Sequence, residues 1–372
     1  MNALSFPKEI VNRKVAIVHD ALVVPAGSER VALQLSDIFP GAPIFTSAYL
    51  PENTFPEFKK KNIFTLPFSK FVKNERQFKS LYPIWYMGVS SLDLSDFDLI
   101  ISNSNYLAKF INPQKSTTHI CYLHNPIRFL WKTAGYSSKS LPFGKLSKFG
   151  INLFLPLLQR LDISRTQKLN HVLTNSQNMH DQVKSIYDVN STVLYPPVDV
   201  SSFKMSESPG DYYLYAGRLI SHKRADLAIQ ACNQLHRQLI IAGDGLERKY
   251  LESIAGDTVK FLGNVTDQQL KNLYANCKAL IFPSDEDFGL VPVESQAAGR
   301  PVIAYGKGGA LETVVDYETG LFFENQTADS LINAIIKFEN IKFDPLIIRQ
   351  NAIRFDLVDF KNKLMNYICS RL

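Results

Sequence analysis

Short unbroken apolar runs recur along this chain, each ended by a polar or glycine-bearing turn and followed by an amphipathic stretch. The first series is Val15-Ala16-Ile17-Val18, closed by His19-Asp20, then Leu99-Ile100-Ile101-Ser102, His119-Ile120-Cys121-Tyr122 and His171-Val172-Leu173-Thr174. Runs of this length with no alternation fit strands covered on both faces of a parallel sheet. Helical spacing lies between them, over residues 28–39 and 177–187. A second series occupies 211–215, 238–242, 258–261, 279–282 and 301–304, with a helix over 225–235. Strand alternating with helix implies a doubly wound α/β architecture, here twice over. The Pro- and Ser-containing stretch 196–210 separates the series and reads as the linker. The tail, 349–370, reads as one helix with Ile353, Leu357, Phe360, Leu364 and Ile368 on one face. Ligands of such sheets bind outside the strand carboxyl ends, so the expected active site is a cleft between the two domains.

A length of 372 residues suits two domains, and 45% hydrophobic with 20% charged residues is a globular composition. The longest dense apolar run, 153–158, is interrupted by Pro156 and far short of the roughly 20 residues of a membrane helix. Residues 1–13 lack the apolar core of a signal peptide. Cys121, Cys232, Cys277 and Cys369 show no paired spacing, which argues against a zinc site or disulfide scaffold and for a reducing cytoplasm. Charge is unevenly placed. Residues 57–80 carry net +5 and 127–168 net +7, against +6 for the whole chain. Phe64, Phe68, Phe71 and Phe78 interleave with the first stretch; Phe143, Phe149, Phe154 and Leu157 with the second. Cations beside apolar anchors suit an anionic membrane surface. The plainer reading is a solvated face over ordinary core aromatics. No nucleic-acid recognition module is present.

The densest chemistry lies in Asp285-Glu286-Asp287-Phe288-Gly289-Leu290-Val291-Pro292-Val293-Glu294, after the 279–282 strand. Pro292 suits the first turn of a helix and Gly299 its C-terminal cap. Glu286 then lies in a loop and Glu294 at a helix start, two carboxylates able to accept paired hydroxyl groups of a sugar. The amides of Phe288, Gly289 and Leu290 can face a phosphate. Arg218 and Lys223 follow the 211–215 strand, where both can reach one diphosphate: arginine as a two-pronged donor, lysine as a point charge. Gly243-Asp244-Gly245 lacks the third glycine of a dinucleotide fingerprint, since Arg248 stands there. Asp285-Glu286-Asp287 also allows a metal-binding D-x-D reading. Each feature has a bland counterpart: surface carboxylates, a basic loop, a tight turn.

Together these segments resemble family-4 glycosyltransferases of the GT-B fold. The 286–294 pair matches that family's E-x7-E motif. Gly217, Arg218 and Lys223 match its donor-phosphate motif, Gly243 and Gly245 a loop lining the nucleotide, and Gly308-Gly309-Ala310-Leu311-Glu312-Thr313 a further segment. Asn175-Ser176-Gln177 and Tyr195-Pro196-Pro197-Val198-Asp199 also fit. His19-Asp20 and the segment from His124 to Trp131 look most like bacterial mannosyltransferases of O-antigen or exopolysaccharide assembly. The family has two adjacent glycines where this chain has Ala26-Gly27, and alanine does not take positive φ cheaply.

The resemblance implies an acceptor-binding domain over 1–203, a donor-binding domain over 204–350, and a helix over 351–372 packing back on the first. It implies a retaining, metal-independent hexosyltransferase with no cofactor. The expected donor is GDP-mannose and the expected acceptor a lipid-linked oligosaccharide. The expected location is cytoplasmic, peripheral on the inner face of the membrane. His124, Arg218, Lys223 and Glu286 would be catalytic. Gly27, Gly217, Gly243, Gly245, Phe288, Gly289, Leu290 and Glu294 would join Arg218, Lys223 and Glu286 in holding the donor. Lys307 and His19 are further candidates at sugar or phosphate. A UDP-sugar transferase shares every one of these features. A nucleotide-sugar epimerase would act without an acceptor. A non-catalytic assembly partner would have lost Glu286, Arg218 or Lys223, and all three are present.

Overall fold

The computed structural model describes residues 8–80, 82–131 and 147–372. The chain divides into two compact units, Met1–Tyr195 with Phe360–Leu372, and Pro196–Asp359. The first holds a seven-stranded sheet: β1 Val15–His19, β2 Ile44–Thr46, β3 Ile63–Thr65, β4 Leu99–Ser104, β5 Thr118–Leu123, β6 His171–Thr174 and β7 Thr192–Val193. Their order is β3-β2-β1-β4-β5-β6-β7, every pairing parallel. The second unit has β8 Tyr212–Ala216, β9 Gln238–Ala242, β10 Val259–Gly263, β11 Ala279–Phe282, β12 Val302–Tyr305 and β13 Gly320–Phe323. These run in the order β10-β9-β8-β11-β12-β13, again all parallel. Each sheet reverses direction once, between β1 and β4 and between β8 and β11. Those switch points open a crevice at the strand carboxyl ends.

The apolar runs read from the sequence are the central strands. Ala16, Ile17, Leu99, Ile100, Leu280 and Ile303 are all buried. The helices Gln177–Tyr187 and Ala225–Leu235 begin and end where the pattern places them. Ser176 caps the former by accepting from the Met179 amide, and Asp188 ends it in the left-handed conformation. The first long helix is Gly27–Ile38, one residue earlier than the sequence suggests.

Two expectations change. The tail is two helices, Pro345–Ile353 and Leu357–Cys369, not one. Between them the backbone pairs with Val198: its amide donates to the Phe355 carbonyl (2.9 Å), and its carbonyl accepts from Leu357 (3.2 Å). Asp356 then accepts from the Val358 amide at 2.9 Å and restarts the helix. For the same reason 196–203 is no free linker. Val198, Val200 and Phe203 are buried, and Arg349 donates to the Val200 and Phe203 carbonyls at 2.9 and 3.0 Å. The unit boundaries accordingly fall at 195/196 and 359/360, where the sequence pattern suggests 203/204 and 350/351. Phe360, Leu364, Met365 and Ile368 complete the core of the first unit beside Ile17, Leu35 and Tyr122.

Candidate active site

In the second unit the chemistry gathers where β8 and β11 part. The loop after β8 crosses the loop after β9 with no room for side chains. A Cβ on Gly243 would lie 2.0 Å from the Gly217 carbonyl oxygen, and one on Gly245 2.3 Å from that of Leu219. The loops are stitched by hydrogen bonds from Gly217 N to Ala242 O (3.0 Å) and from Leu219 N to Asp244 O (2.9 Å). Gly243-Asp244-Gly245 is thus a crossing that shapes the Gly217-Arg218 loop. Arg218 is exposed on it.

Lys223 closes a short 3-10 turn, Ser221–Lys223, and Arg224 follows at φ 53°. A left-handed arginine is strained and needs support. Its guanidinium grips Asp226 at 3.0 Å, and its Nη1 reaches the Gln326 carbonyl at 3.4 Å. Gln326 in turn donates to the Pro283 carbonyl at 2.9 Å. This chain ties the β8 loop to the β11 loop. Buried Tyr215 adds to it, its hydroxyl donating to the carbonyls of Arg218 (3.4 Å) and Lys223 (3.5 Å). Burial, then the negative charge of Glu286 and Asp226, push its phenol well above the ordinary range, so it stays a donor.

Lys223 forms an ion pair with Glu286, both side chains about one-fifth exposed. Ser284, buried, donates to the same carboxylate at 2.9 Å. The 308–309 backbone packs closely against residues 286–288. The Gly309 amide donates to the Glu286 carbonyl at 2.8 Å. A Cβ on Gly309 would lie 2.2 Å from Phe288 Cα, and one on Gly308, at φ 62°, 2.4 Å from the Glu286 carbonyl oxygen. Asp285 faces Lys307 at 3.5 Å. Asp287 is buried, so the three acidic residues point to different surroundings. Phe288 is buried edge-on against Phe355 at 5.5 Å. Gly289 sits at φ 90° as the N-cap of Leu290–Ala297. Glu294 therefore falls in the second turn of that helix, not the first, where the buried Tyr274 hydroxyl donates to it at 2.9 Å. Gly299 takes φ 72° just past the helix end, as its C-terminal role requires.

In the first unit His124 follows β5, 7% exposed, its ring Nε2 2.5 Å from Asn103 Oδ1. His19, 1% exposed, meets Asn103 from the other side. Asp20 has a structural task. Its carboxylate accepts from the amides of Tyr106 (2.9 Å), Leu107 (2.6 Å) and Ala108 (2.6 Å), and also from Asn105. Ala26 is extended at φ −139°, so the replacement of the family's first glycine costs no strain. Gly27 opens the helix behind it.

Sequence reading missed Tyr274, Ser284, Arg224, Gln326, Glu29 and Asn103. Of these, Arg224 directly follows Lys223 and Ser284 directly precedes the Asp285–Glu294 segment. The others become visible only when strands distant in sequence align.

Two parallel doubly wound sheets in one chain, the second with a basic loop and a carboxylate pair at its switch point, are the architecture of the GT-B fold. Residues 202–355 match the model of the glycosyl transferases group 1 family. It is 26% identical to the O-antigen chain mannosyltransferase RfbU of Salmonella typhimurium over 269 residues, 67% of this chain and 72% of that one. It is 29% identical to the human alpha-1,3/1,6-mannosyltransferase ALG2 over 191 residues, covering 41% of this chain and 46% of ALG2. Among solved structures it resembles HepE of Anabaena in complex with UDP-glucose, at TM-score 0.69 and 18% identity, over 96% of this chain and 100% of that one.

Proposed function

We propose that this glycosyltransferase moves mannose from GDP-mannose, with retention of configuration and without a metal ion, onto a lipid-linked oligosaccharide of a bacterial surface polysaccharide. The observation that carries the donor reading is the Lys223–Glu286 pair at the β8/β11 switch point. A lysine held beside the sugar-facing carboxylate is placed to neutralise a diphosphate as the glycosidic bond breaks, with Arg218 on the same loop as the second cation. Glu294, oriented by Tyr274, accepts the ribose hydroxyls. The amides of Phe288, Gly289 and Leu290 complete the phosphate contact. Lys307 serves as a reserve cation at the sugar. His124 and Glu286 orient the transferred sugar, and the departing phosphate takes the acceptor proton. Mannose is favoured because RfbU and ALG2 both carry that activity in their names.

The acceptor reading rests on surface chemistry. Phe64, Phe68 and Phe71 are 48%, 50% and 60% exposed among the lysines of 59–73. No helix among the described residues is long and apolar enough to cross a membrane. Exposed aromatics flanked by cations favour a peripheral seat on anionic lipid, on the cytoplasmic face where nucleotide sugars are available. Part of the second basic stretch, including Phe143, lies outside the described residues, as do the side chains of Phe149 and Phe154.

The test is product formation. Purified protein in chelator is given GDP-mannose and a mannose-bearing glycolipid in anionic vesicles, and the new linkage is read by NMR. An α-mannoside supports the proposal. A β-linkage refutes retention, and product only from a UDP-sugar refutes the donor.

A further inference from the structure

Four polar side chains of the first unit, each no more than 7% exposed, stand in a row: Glu29, His19, Asn103 and His124. They come from the helix Gly27–Ile38, the carboxyl ends of β1 and β4, and the residue after β5. Glu29 Oε1 lies 3.8 Å from His19 Nε2, His19 Nδ1 is 3.0 Å from Asn103 Nδ2, and Asn103 Oδ1 is 2.5 Å from His124 Nε2. Burying four such groups is costly unless their donors and acceptors match.

The matching leaves one solution at Asn103. Its Nδ2 also lies 2.8 Å from the Ser28 carbonyl oxygen, which can only accept. That end of the side chain must be the NH2 group, and the end facing His124 must be the carbonyl oxygen. An amide oxygen only accepts, so His124 Nε2 must carry a hydrogen.

We infer that Asn103 is the positioning residue for His124, fixing its ring and its Nε2–H form through an amide anchored on the Ser28 carbonyl. His19 and Glu29 back this anchor from behind. Burial lowers the proton affinity of His19, but Glu29, Asp20 and the Asn103 carbonyl outweigh it and leave it raised. When neutral, His19 Nδ1 accepts from Asn103 Nδ2. When protonated, it donates to the backbone carbonyl of Asn103 at 3.1 Å. In both states the Ser28 carbonyl holds the amide the same way round, so the signal reaching His124 does not change. The inference rests on the reading of His124 at the transferred sugar only for its catalytic consequence.

The test uses the full chain labelled with 15N-histidine, with the His124 signals assigned through His124→Gln. In the wild type, His124 shows the Nε2–H form. Asn103→Leu, which keeps the volume and removes the acceptor, abolishes that single form. Unchanged signals from His180, His222 and His236 in the same variant guard against a folding artefact. Persistence of the same Nε2–H form in Asn103→Leu overturns the inference. With GDP-mannose as probe, Asn103→Leu should lower kcat about tenfold with little change in donor KM. If His124→Ala leaves kcat unchanged, the sugar contact of His124 fails, and the NMR comparison still decides the role of Asn103.

Discussion

Replacing Lys223 and Glu286 one at a time should move nucleotide affinity in opposite directions. The two side chains are paired, each about one-fifth exposed. A diphosphate arriving at Lys223 must share or displace that carboxylate. A charged hydrogen bond from Lys223 to phosphate contributes about 1.5–3 kcal/mol. Loosening a partly exposed ion pair costs up to about 1 kcal/mol. The net contribution of Lys223 is then about 0.5–2 kcal/mol, so Lys223→Ala should weaken GDP binding roughly 2- to 30-fold. Glu286→Gln removes the competition while keeping the shape and an acceptor for Ser284. It should tighten GDP binding by up to about fivefold, yet slow transfer by on the order of 10²–10³ because the sugar loses a preorganised partner. Calorimetric titration of both variants with GDP, alongside steady-state turnover, reads all four numbers. If Glu286→Gln weakens GDP binding as much as Lys223→Ala does, the carboxylate does not compete with the diphosphate; if Lys223→Ala leaves GDP binding unchanged, the assignment of Lys223 to the diphosphate is refuted.

Gly309→Ala would place a methyl group 2.2 Å from Phe288 Cα, so overpacking of about 1–3 kcal/mol should lower Tm by at least about 2 °C and impair donor binding; unchanged melting would show that the loops are not in that contact. Asp20→Asn replaces a carboxylate that receives four amides with a group of which one end donates, at a cost of about 2–4 kcal/mol in denaturant unfolding; a loss below 0.5 kcal/mol on that scale would deny its anchoring role. Glu339 is held at about 2 by Arg237, against burial, with help from Lys278 and Tyr213. Because its folded value is depressed, its stabilising effect is present above the unfolded carboxylate range and is lost as pH falls from about 5 toward 2. The stability gap between wild type and Glu339→Gln should therefore close across that interval, and a gap constant with pH would contradict it.

The fold was legible because both sheets are parallel and buried on two faces, which writes each central strand as an apolar run. The strands that escaped notice are short or marginal: Ile44–Thr46 and Ile63–Thr65 have three residues each, and Thr65 is exposed. Gly320–Phe323 begins on a glycine whose missing Cβ admits the Val302 carbonyl, and a glycine reads as a turn in sequence. The tail looked like one helix because its apolar spacing continues through 354–356, while the break is imposed by pairing with Val198, far away in sequence. The charged site residues were legible from motif spacing. Their supports were not: Tyr274 reads as a core aromatic, Ser284 as loop polarity, and Asn103 as the end of an apolar strand. What selects each is a partner brought alongside by the sheet, a relation that no local window contains.

The central claim is that the second unit holds a guanosine diphosphate sugar through charged side chains, without a metal. Calorimetric titration with GDP, UDP, GDP-mannose, UDP-glucose and UDP-N-acetylglucosamine in excess chelator addresses it most directly. Binding of GDP and GDP-mannose should be saturable, unaltered when magnesium is restored, and weaker for the uridine compounds. Preference for the uridine series, or binding that appears only with the metal, would contradict it.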